Sequence, residues 1–442
     1  LRAKSAAVGG MIVLLISSCV LLYPSGHIYT AFGAIFGVLF GLSLLTGYIV
    51  VTLAPLTRSF LTSLGGLPGK IAAGNIRQNL GRTSIAIAAF MIALSMSIGL
   101  SLMIGSFRES LVWWMEGQLR GDLYISNASE KEVPEKLYRE LKAMPDIDAV
   151  DAYRKVQMSY RGKTMFVASI DASVLQKKAR FAWVDGGDEH WDAVRRGDVI
   201  VSESFARNFN STPGSIITLE GLKGLVKLRI EAVFYDYSTE HGLVMMDRET
   251  YIRLFGDRII NSIAVFLDPA ESRRQLILDS VRQKAHAYDL PVFTRDQFYG
   301  NILAVFDSTF AITRSMRIMA IIIAFFGIAG ALMTLFIERQ RDFGIIRALG
   351  FSTGQVSVMT LLEAIGMGVI SYILSTGVGT LFAFLLIRVI NLRSFNWTIF
   401  FHPHLSPYLV ILLTALLASV AAALYPIWKV MRTYPQMQIR DE

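Results

Sequence analysis

The stretch TSIAIAAFMIALSMSIGLSLMIGSF, Thr83 to Phe107, decides the fold. It carries no charged residue, and its 25 positions exceed the roughly 20 apolar residues a helix needs to cross the hydrocarbon core. At Arg108 the character changes at once: mixed charge and strand-like alternation run to Asp307 before apolar sequence returns. A span followed by a long polar segment predicts a membrane bundle with a water-facing insert. Five more stretches qualify as spans. They are Ala6 to Tyr23, Ile28 to Leu56 after the turn signal Pro24-Ser25-Gly26, Ile318 to Ile337, Phe351 to Ile387 and Leu405 to Trp428. The stretch from Phe351 is interrupted only by Glu363 and, as a helix, would run to about 55 Å. It reads as one span with an interfacial or cytoplasmic beginning.

Composition agrees. Of 442 residues, 53% are hydrophobic and 18% charged, against about 25% charged in soluble domains. The net charge of +8 would suit a nucleic-acid binder or a membrane protein, and its distribution decides. Arg108 to Asp307 holds 27 basic and 30 acidic residues, leaving 16 basic and 5 acidic elsewhere. The excess basicity lies beside the spans, as in cytoplasmic loops, and not on a nucleic-acid surface. With six spans, Arg2, Lys4, Arg58, Lys70, Arg77, Arg82, Arg339, Arg341, Arg347, Lys429, Arg432 and Arg440 all fall on one side, the cytoplasm. Trp113, Trp114, Trp397, Phe400 and Phe401 sit where interfacial aromatic belts are expected. The single Cys19 excludes a disulfide framework. Its context loosely resembles a lipoprotein signal, but apolar residues continue past it, so a small thiol inside a helix is preferred.

The insert alternates short strands and helices: Leu123 to Ser126, Val150 to Tyr160 and Lys163 to Ile170 as strands, a helix from Glu203 to Phe209, further strands to Leu267, and a helix from Ala270 to Tyr288. This predicts an α+β domain large enough to fold independently. Ile104, Phe107, Leu111 and Trp114 extend span three outward at helical spacing, and Phe298, Ile302, Val305 and Phe310 approach span four in the same way. These two stalks either pair as a short coiled coil or are helix ends packing on the domain. Gly33, Gly37 and Gly41 form overlapping GxxxG steps, for packing within the bundle or at a subunit interface.

No catalytic motif survives inspection. Gly65-Gly66-Leu67-Pro68-Gly69-Lys70 imitates a phosphate loop but lacks the opening glycine and the hydroxyl after the lysine. His402 and His404 have no carboxylate beside them, and the acidic run Asp185, Asp188, Glu189, His190 and Asp192 reads as a solvated turn and lacks EF-hand spacing. No metal or cofactor is expected. Glu363, inside a candidate span, is assigned to pairing with an arginine or to interfacial water. The segment Glu338 to Gly350 is charged at first, then apolar at Phe343, Ile346 and Leu349, and closed by Gly350 as a helix stop. Such a helix seeks a groove on another protein or lies flat on headgroups.

Here the sequence resembles a known family. Glu338 to Gly350, followed by Gln355 and Leu361-Leu362-Glu363-Ala364, resembles the signature of FtsX-like permeases, the membrane subunits of MacB-type (type VII) ABC transporters. Ala73 to Thr83 resembles the cytoplasmic elbow before the first span of that module. Gly197 to Glu203 and Pro213-Gly214-Ser215 are similar to the MacB-type periplasmic core domain. The resemblance implies a membrane α-helical bundle of about six transmembrane helices with an inserted α+β extracytoplasmic domain. Its parts are two linker transmembrane helices (1–57), the elbow (58–82), a span (83–107), the extracytoplasmic domain with stalks (108–308), a span (309–337), a coupling helix (338–350), two spans with a short outer loop (351–428) and a cytoplasmic tail (429–442). It further implies that Glu338, Arg339, Arg341, Phe343, Gly344, Ile346, Arg347, Leu349 and Gly350 dock on a separate cytoplasmic ABC ATPase dimer. Mechanotransmission in the bacterial cell membrane would then serve a lipoprotein, lipid, peptide or antibiotic. Spans one and two are additional to the four-span module, so the chain, which begins at Leu1, reads as the C-terminal half of a two-repeat, ten-span permease. Its partners would be that ATPase, the other permease half or a second copy, membrane lipids and a periplasmic or extracellular partner, without nucleic acid. Two rivals stay open: a regulator of a cell-wall hydrolase, and a peptide-sensing receptor.

Overall fold

The computed structural model describes residues 2–23, 27–126, 132–268, 273–338 and 345–432. The chain divides into a helical unit (Leu1–Ser106, Phe310–Arg393, Phe401–Glu442) and an insert unit (Phe107–Thr309, Ser394–Phe400).

Among the described residues, five helices are long and apolar enough to cross a membrane. They begin with Arg2–Leu22, Ile28–Gln78 and Leu80–Gln118, and end with Thr353–Leu385, which continues through a π turn and a short helical turn to Phe395, and Leu405–Arg432. Ala311–Glu338 is a further apolar helix, several of whose side chains lie outside the described residues. The long stretch holding Glu363 is therefore one helix, as read from its length. Phe90, Leu94, Ile98, Met359, Met367, Ile411 and Ala423 are among the buried side chains that form the bundle core.

Small residues set the crossings. A Cβ on Gly379 would lie 2.8 Å from Ile98 Cβ, and one on Gly368 would lie 2.0 Å from Ser419 Oγ, so these backbones approach to where only glycine fits. Of the GxxxG residues, Gly37 and Gly41 pack on the first helix: a Cβ would meet Ser17 Oγ at 2.2 Å and Leu14 Cγ at 2.8 Å. Gly33 faces nothing within 4 Å. Two of the three thus serve packing within the bundle.

The insert unit is built on a ten-stranded mixed sheet. Its strands are β1 (Leu123–Ser126), β2 (Ile147–Tyr160), β3 (Lys163–Ile170), β4 (Trp183–Asp185), β5 (Val199–Ser202), β6 (Ile216–Gly221), β7 (Gly224–Phe234), β8 (Leu243–Asp247), β9 (Ser262–Leu267) and β10 (Val292–Thr294). The order is β10-β1-β9-β2-β3-β8-β5-β7-β4, with β6 paired to β7. The β3–β8 and β5–β7 pairs are parallel and the rest antiparallel. Arg161 and Gly162, both at positive φ (48° and 74°), make the two-residue turn joining β2 to β3. Helices Glu135–Lys142 and Arg274–His286 cover one end of the sheet, with Leu137, Leu141, Ile277 and Val281 in its core. The helix Glu203–Phe209 covers another part with Phe205 and Phe209. The start of the helix read from Ala270 lies outside the described residues.

Candidate functional site

In the helical unit the candidate site is the junction of the elbow with the helix Thr353–Leu385. The phosphate-loop imitation proves to be a chain reversal. Gly66 takes φ 57°, ψ −128°, breaking the helix that starts at Ile28, and Pro68 sits in the first turn of the next helical run. A Cβ on Gly69 would lie 1.8 Å from the Leu61 carbonyl oxygen, so the returning chain can touch the outgoing helix only with glycine there. This reversal buries Ala72, Ala73, Asn75 and Ile76. A Cβ on Gly366 would meet Ile76 Cδ1 at 2.9 Å, and one on Gly65 would meet Leu362 Cδ1 at 2.2 Å. Asn75 Nδ2 donates to Glu363 Oε2 at 3.4 Å, both residues being buried. One partner of Glu363 is thus the Asn75 amide, supplied by the returning chain.

The described end of the Glu338–Gly350 segment leads into this junction. Phe351 N donates to Ile346 O at 3.2 Å and Gly350 N to Arg347 O at 3.1 Å, with Gly350 at φ 101°. That is a Schellman termination, as the glycine stop predicts. The next helix opens with a capping box: Gln355 N donates to Ser352 Oγ (3.2 Å) and Ser352 N to Gln355 Oε1 (2.9 Å). Ile346 packs on the bundle core, whereas Ile345 and Leu349 are exposed, Leu349 by 79%. Arg339, Arg341, Phe343 and Gly344 lie outside the described residues, as does the side chain of Glu338.

The first stalk is the far end of Leu80–Gln118, an unbroken helix of 39 residues. The second is Arg295–Thr309. Within the insert unit the two meet directly. Phe107 and Phe306 stack edge to face at 5.1 Å, Arg108 pairs with Asp307 at 3.6 Å, and Tyr299 Oη lies 2.8 and 2.9 Å from the carbonyl oxygens of Met115 and Leu119. Leu111 and Trp114 are buried, and Phe298 stacks on Tyr124 at 4.2 Å. Val305 departs from its expected place. It is 68% exposed, and the buried residue of that turn is Phe306, four positions after Ile302 and eight after Phe298. Helical spacing admits both positions, 305 at i+3 and 306 at i+4 from Ile302, and the packing against Phe107 selects 306. Ile104 and Phe310 belong to the helical unit.

The third feature has no local signature in the sequence. Residues 394–400, between the last two apolar helices, belong to the insert unit. Buried Glu203 holds them: Thr398 N donates to Oε2 at 2.8 Å and Thr398 Oγ1 to Oε1 at 2.7 Å. Arg207 Nε and Nη2 also donate to Oε1, at 3.0 and 2.9 Å. Tyr237 Oη donates to Thr398 O (2.6 Å), and Asn396 Nδ2 to Asn208 Oδ1 (3.0 Å). Trp397 is buried against Phe107 and Tyr237, and Phe400 N donates to Ser110 Oγ (3.0 Å) while its ring meets Trp113 and Tyr235. Of the aromatic residues assigned to interfacial belts, Trp113, Trp114, Trp397 and Phe400 therefore belong to this aromatic cluster of the insert unit, and Phe401 packs on the bundle core. In the sequence Glu203 stands out only as a helix start and part of a family-like motif, because its partner stands 195 positions away.

The remaining candidates have structural partners. Asp188 Oδ1 accepts from Trp183 Nε1 at 3.0 Å, His190 Nδ1 lies 3.1 Å from Glu231 Oε2, and His402 N donates to Ser106 Oγ at 3.0 Å. Among the described residues no group of three or more His, Cys, Asp or Glu could hold a metal ion.

Comparison with known proteins identifies two regions. Residues 314–435 match the FtsX-like permease C-terminal family, and residues 84–279 match the MacB-like periplasmic core domain. The chain is 32% identical over 434 residues, 95% of its length, to the uncharacterized ABC transporter permease protein Rv0987 of Mycobacterium tuberculosis. It spans 50% of that relative's length. Among solved structures it matches the periplasmic region of MacB from Actinobacillus actinomycetemcomitans (12% identity, TM-score 0.31, 42% of this chain and 94% of that one). It also matches the extracellular domain of the noncanonic ABC-type transporter YknZ from Gram-positive bacteria (14% identity, TM-score 0.28, 39% of this chain and 98% of that one).

Proposed function

We propose, for a chain that belongs to the FtsX-like permeases and carries a MacB-like periplasmic core domain, that it works by mechanotransmission as the transmembrane subunit of an ABC transporter. A separate cytoplasmic ATPase dimer hydrolyses ATP, and the Glu338–Gly350 segment receives its movement. The helices carry that movement to the insert outside the bacterial cell membrane, where a lipoprotein, lipid, peptide or antibiotic is extracted or exported. In this topology the tail 429–442 is cytoplasmic. The chain spans half the length of its mycobacterial relative, so the second ATPase docking site comes from the other permease half or a second copy.

The observation that supports this reading best is mechanical. One helix runs without interruption from Leu80, beside the elbow, to Gln118 in the insert unit, and the segment between the last two apolar helices is clasped by Glu203 of the same unit. A helix is stiff along its axis because every turn is closed by hydrogen bonds. Displacement at the elbow end is therefore passed outward rather than absorbed. The exposed Ile345 and Leu349, one turn apart, supply an apolar face for the ATPase groove.

The test uses the full-length permease with its ATPase. Leu349→Asp and Arg347→Glu are expected to reduce co-purification of the ATPase at least tenfold while thermal unfolding of the insert stays unchanged; retained association would overturn the docking assignment. ATP turnover is then measured with candidate lipoproteins, peptides and cell-wall hydrolases. Stimulation with release of the substrate from the membrane supports transport. Hydrolase activation without release, or peptide binding without stimulation, would replace it by regulation or sensing. A cysteine at Ser211 should be labelled only from outside the cell.

A further inference from the structure

The insert unit contains a cavity of about 260 Å³ where both stalks meet the sheet. An apolar cavity of roughly 150 Å³ already holds a benzene ring, so this one has room for a ring and a short chain. Its walls are mostly apolar and aromatic, with Phe181, Phe266 and Phe298 among them. Polar groups break that surface, and three of them bear on a ligand. Trp114, from the first stalk, has a buried indole Nε1 with no hydrogen-bond partner among the described residues. Asp151 and Asp236 also line the cavity, 5% and 2% exposed. Asp236 accepts from Ser238 N (3.3 Å) and Ser238 Oγ (2.8 Å), and Asp151 Oδ1 from Asp171 N (2.6 Å). Among the described residues no lysine, arginine or histidine lines the space; Lys155, whose charge acts on Asp236, and Arg248, whose charge acts on Asp151, stand outside the lining.

Two acids and an unmatched donor within an aromatic shell are costly to bury without a ligand. An unpartnered buried donor forfeits its hydrogen bond, and an uncompensated carboxylate is held toward its neutral form; burial pushes both aspartates up, Asp151 to about 7. A cation among aromatic faces and carboxylates gains from both.

We propose that this cavity is a binding site for a small amphipathic amine: its ammonium group lies against Asp236 and Asp151, its apolar body fills the aromatic shell, and an acceptor oxygen takes the Trp114 indole N–H. Trp114, Phe298 and Ile302 line it from the two stalks, so an occupant consolidates the packing of both stalks on the sheet. The site does not depend on whether the chain transports, regulates or senses.

The test is isothermal titration calorimetry on the full chain in lipid nanodiscs, with empty nanodiscs as the blank. The probe is 4-phenoxybutylamine, compared with 4-phenoxybutanol and 4-phenoxybutyrate. The amine should bind at least tenfold more tightly than the alcohol, with no binding of the acid. Asp236→Asn and Asp151→Asn should each weaken the amine about tenfold. Trp114→Phe should weaken 4-phenoxybutylamine several-fold but leave 5-phenylpentylamine, which has no acceptor oxygen, unchanged. Equal binding of amine, alcohol and acid, or no binding of the amine, would overturn the proposal. The probe series on the unaltered chain decides even if a variant fails to fold, and none of its outcomes bears on ATPase docking.

Discussion

Replacing Glu203 by alanine should release the segment 394–400 from the insert. Glu203 is buried and receives both hydrogen bonds of Thr398, at 2.8 and 2.7 Å. Each bond to a charged acceptor is worth about 1.5–3 kcal/mol. The Arg207 pair adds little because its guanidinium side chain is 43% exposed. Truncation therefore removes about 3–6 kcal/mol from the clasp, of which the Trp397 and Tyr237 ring contacts keep none. Taking the lower figure, the segment should open roughly a hundredfold more often, since 1.4 kcal/mol is a factor of ten. Hydrogen exchange on the full chain in nanodiscs reads this directly. The amide of Phe400, bonded to Ser110 Oγ and not to Glu203, should lose about two orders of magnitude of protection, and strand amides of β5 and β8 should keep theirs. Glu203→Gln, which retains one acceptor oxygen, should fall between. Unchanged exchange at 394–400 in the alanine variant would refute the clasp; equal loss through the whole sheet would show that Glu203 holds up the fold instead.

Three further outcomes follow from the geometry. Burial raises Asp151 from 3.8 to about 7, so the native state favours its neutral form. The stability from that preference, on the order of 4 kcal/mol, is fully present below the ordinary carboxylate range and lost as pH rises through about 7. Denaturant unfolding of the insert in the full chain between pH 4 and 8 should show this loss, and Asp151→Asn should flatten it. In the first two helices, Gly37→Leu should lower stability by about 1–3 kcal/mol through overpacking on Ser17. Gly33→Leu, facing open space, should be neutral, and a melting series distinguishes them. At the elbow, Asn75→Ala takes a donor from the buried Glu363 and should cost about 1–3 kcal/mol; Asn75→Ala with Glu363→Leu should recover part of it.

What the sequence made legible was set by local chemistry. Spans and the onset of the insert follow from charge-free runs, and the Gly350 stop follows from turn preferences acting within a few residues. The helix Glu203–Phe209 likewise coincides with its sequence reading. The pairing of Glu203 with Thr398, and of Asn75 with Glu363 at a separation of 288 positions, has no local signature, because each polar group is satisfied by a chain segment brought in by tertiary packing. Strand β4 was missed since three residues beside an acidic turn carry no alternation. Gly65 to Gly69 shows the converse: glycine clustering is legible and the missing motif residues exclude a phosphate loop, but the chain reversal it makes appears only in the close packing of Gly69 on Leu61.

The central claim is that a nucleotide-driven change at the ATPase end reaches the insert. Hydrogen exchange of the assembled permease–ATPase complex, with and without a non-hydrolysable ATP analogue, tests it most directly. The account expects changed protection at 107–118, 295–309 and 394–400 as well as at 338–350, all of it lost in Leu349→Asp. Changes confined to 338–350 and the elbow, with the stalks and the clasp unaltered, would contradict it.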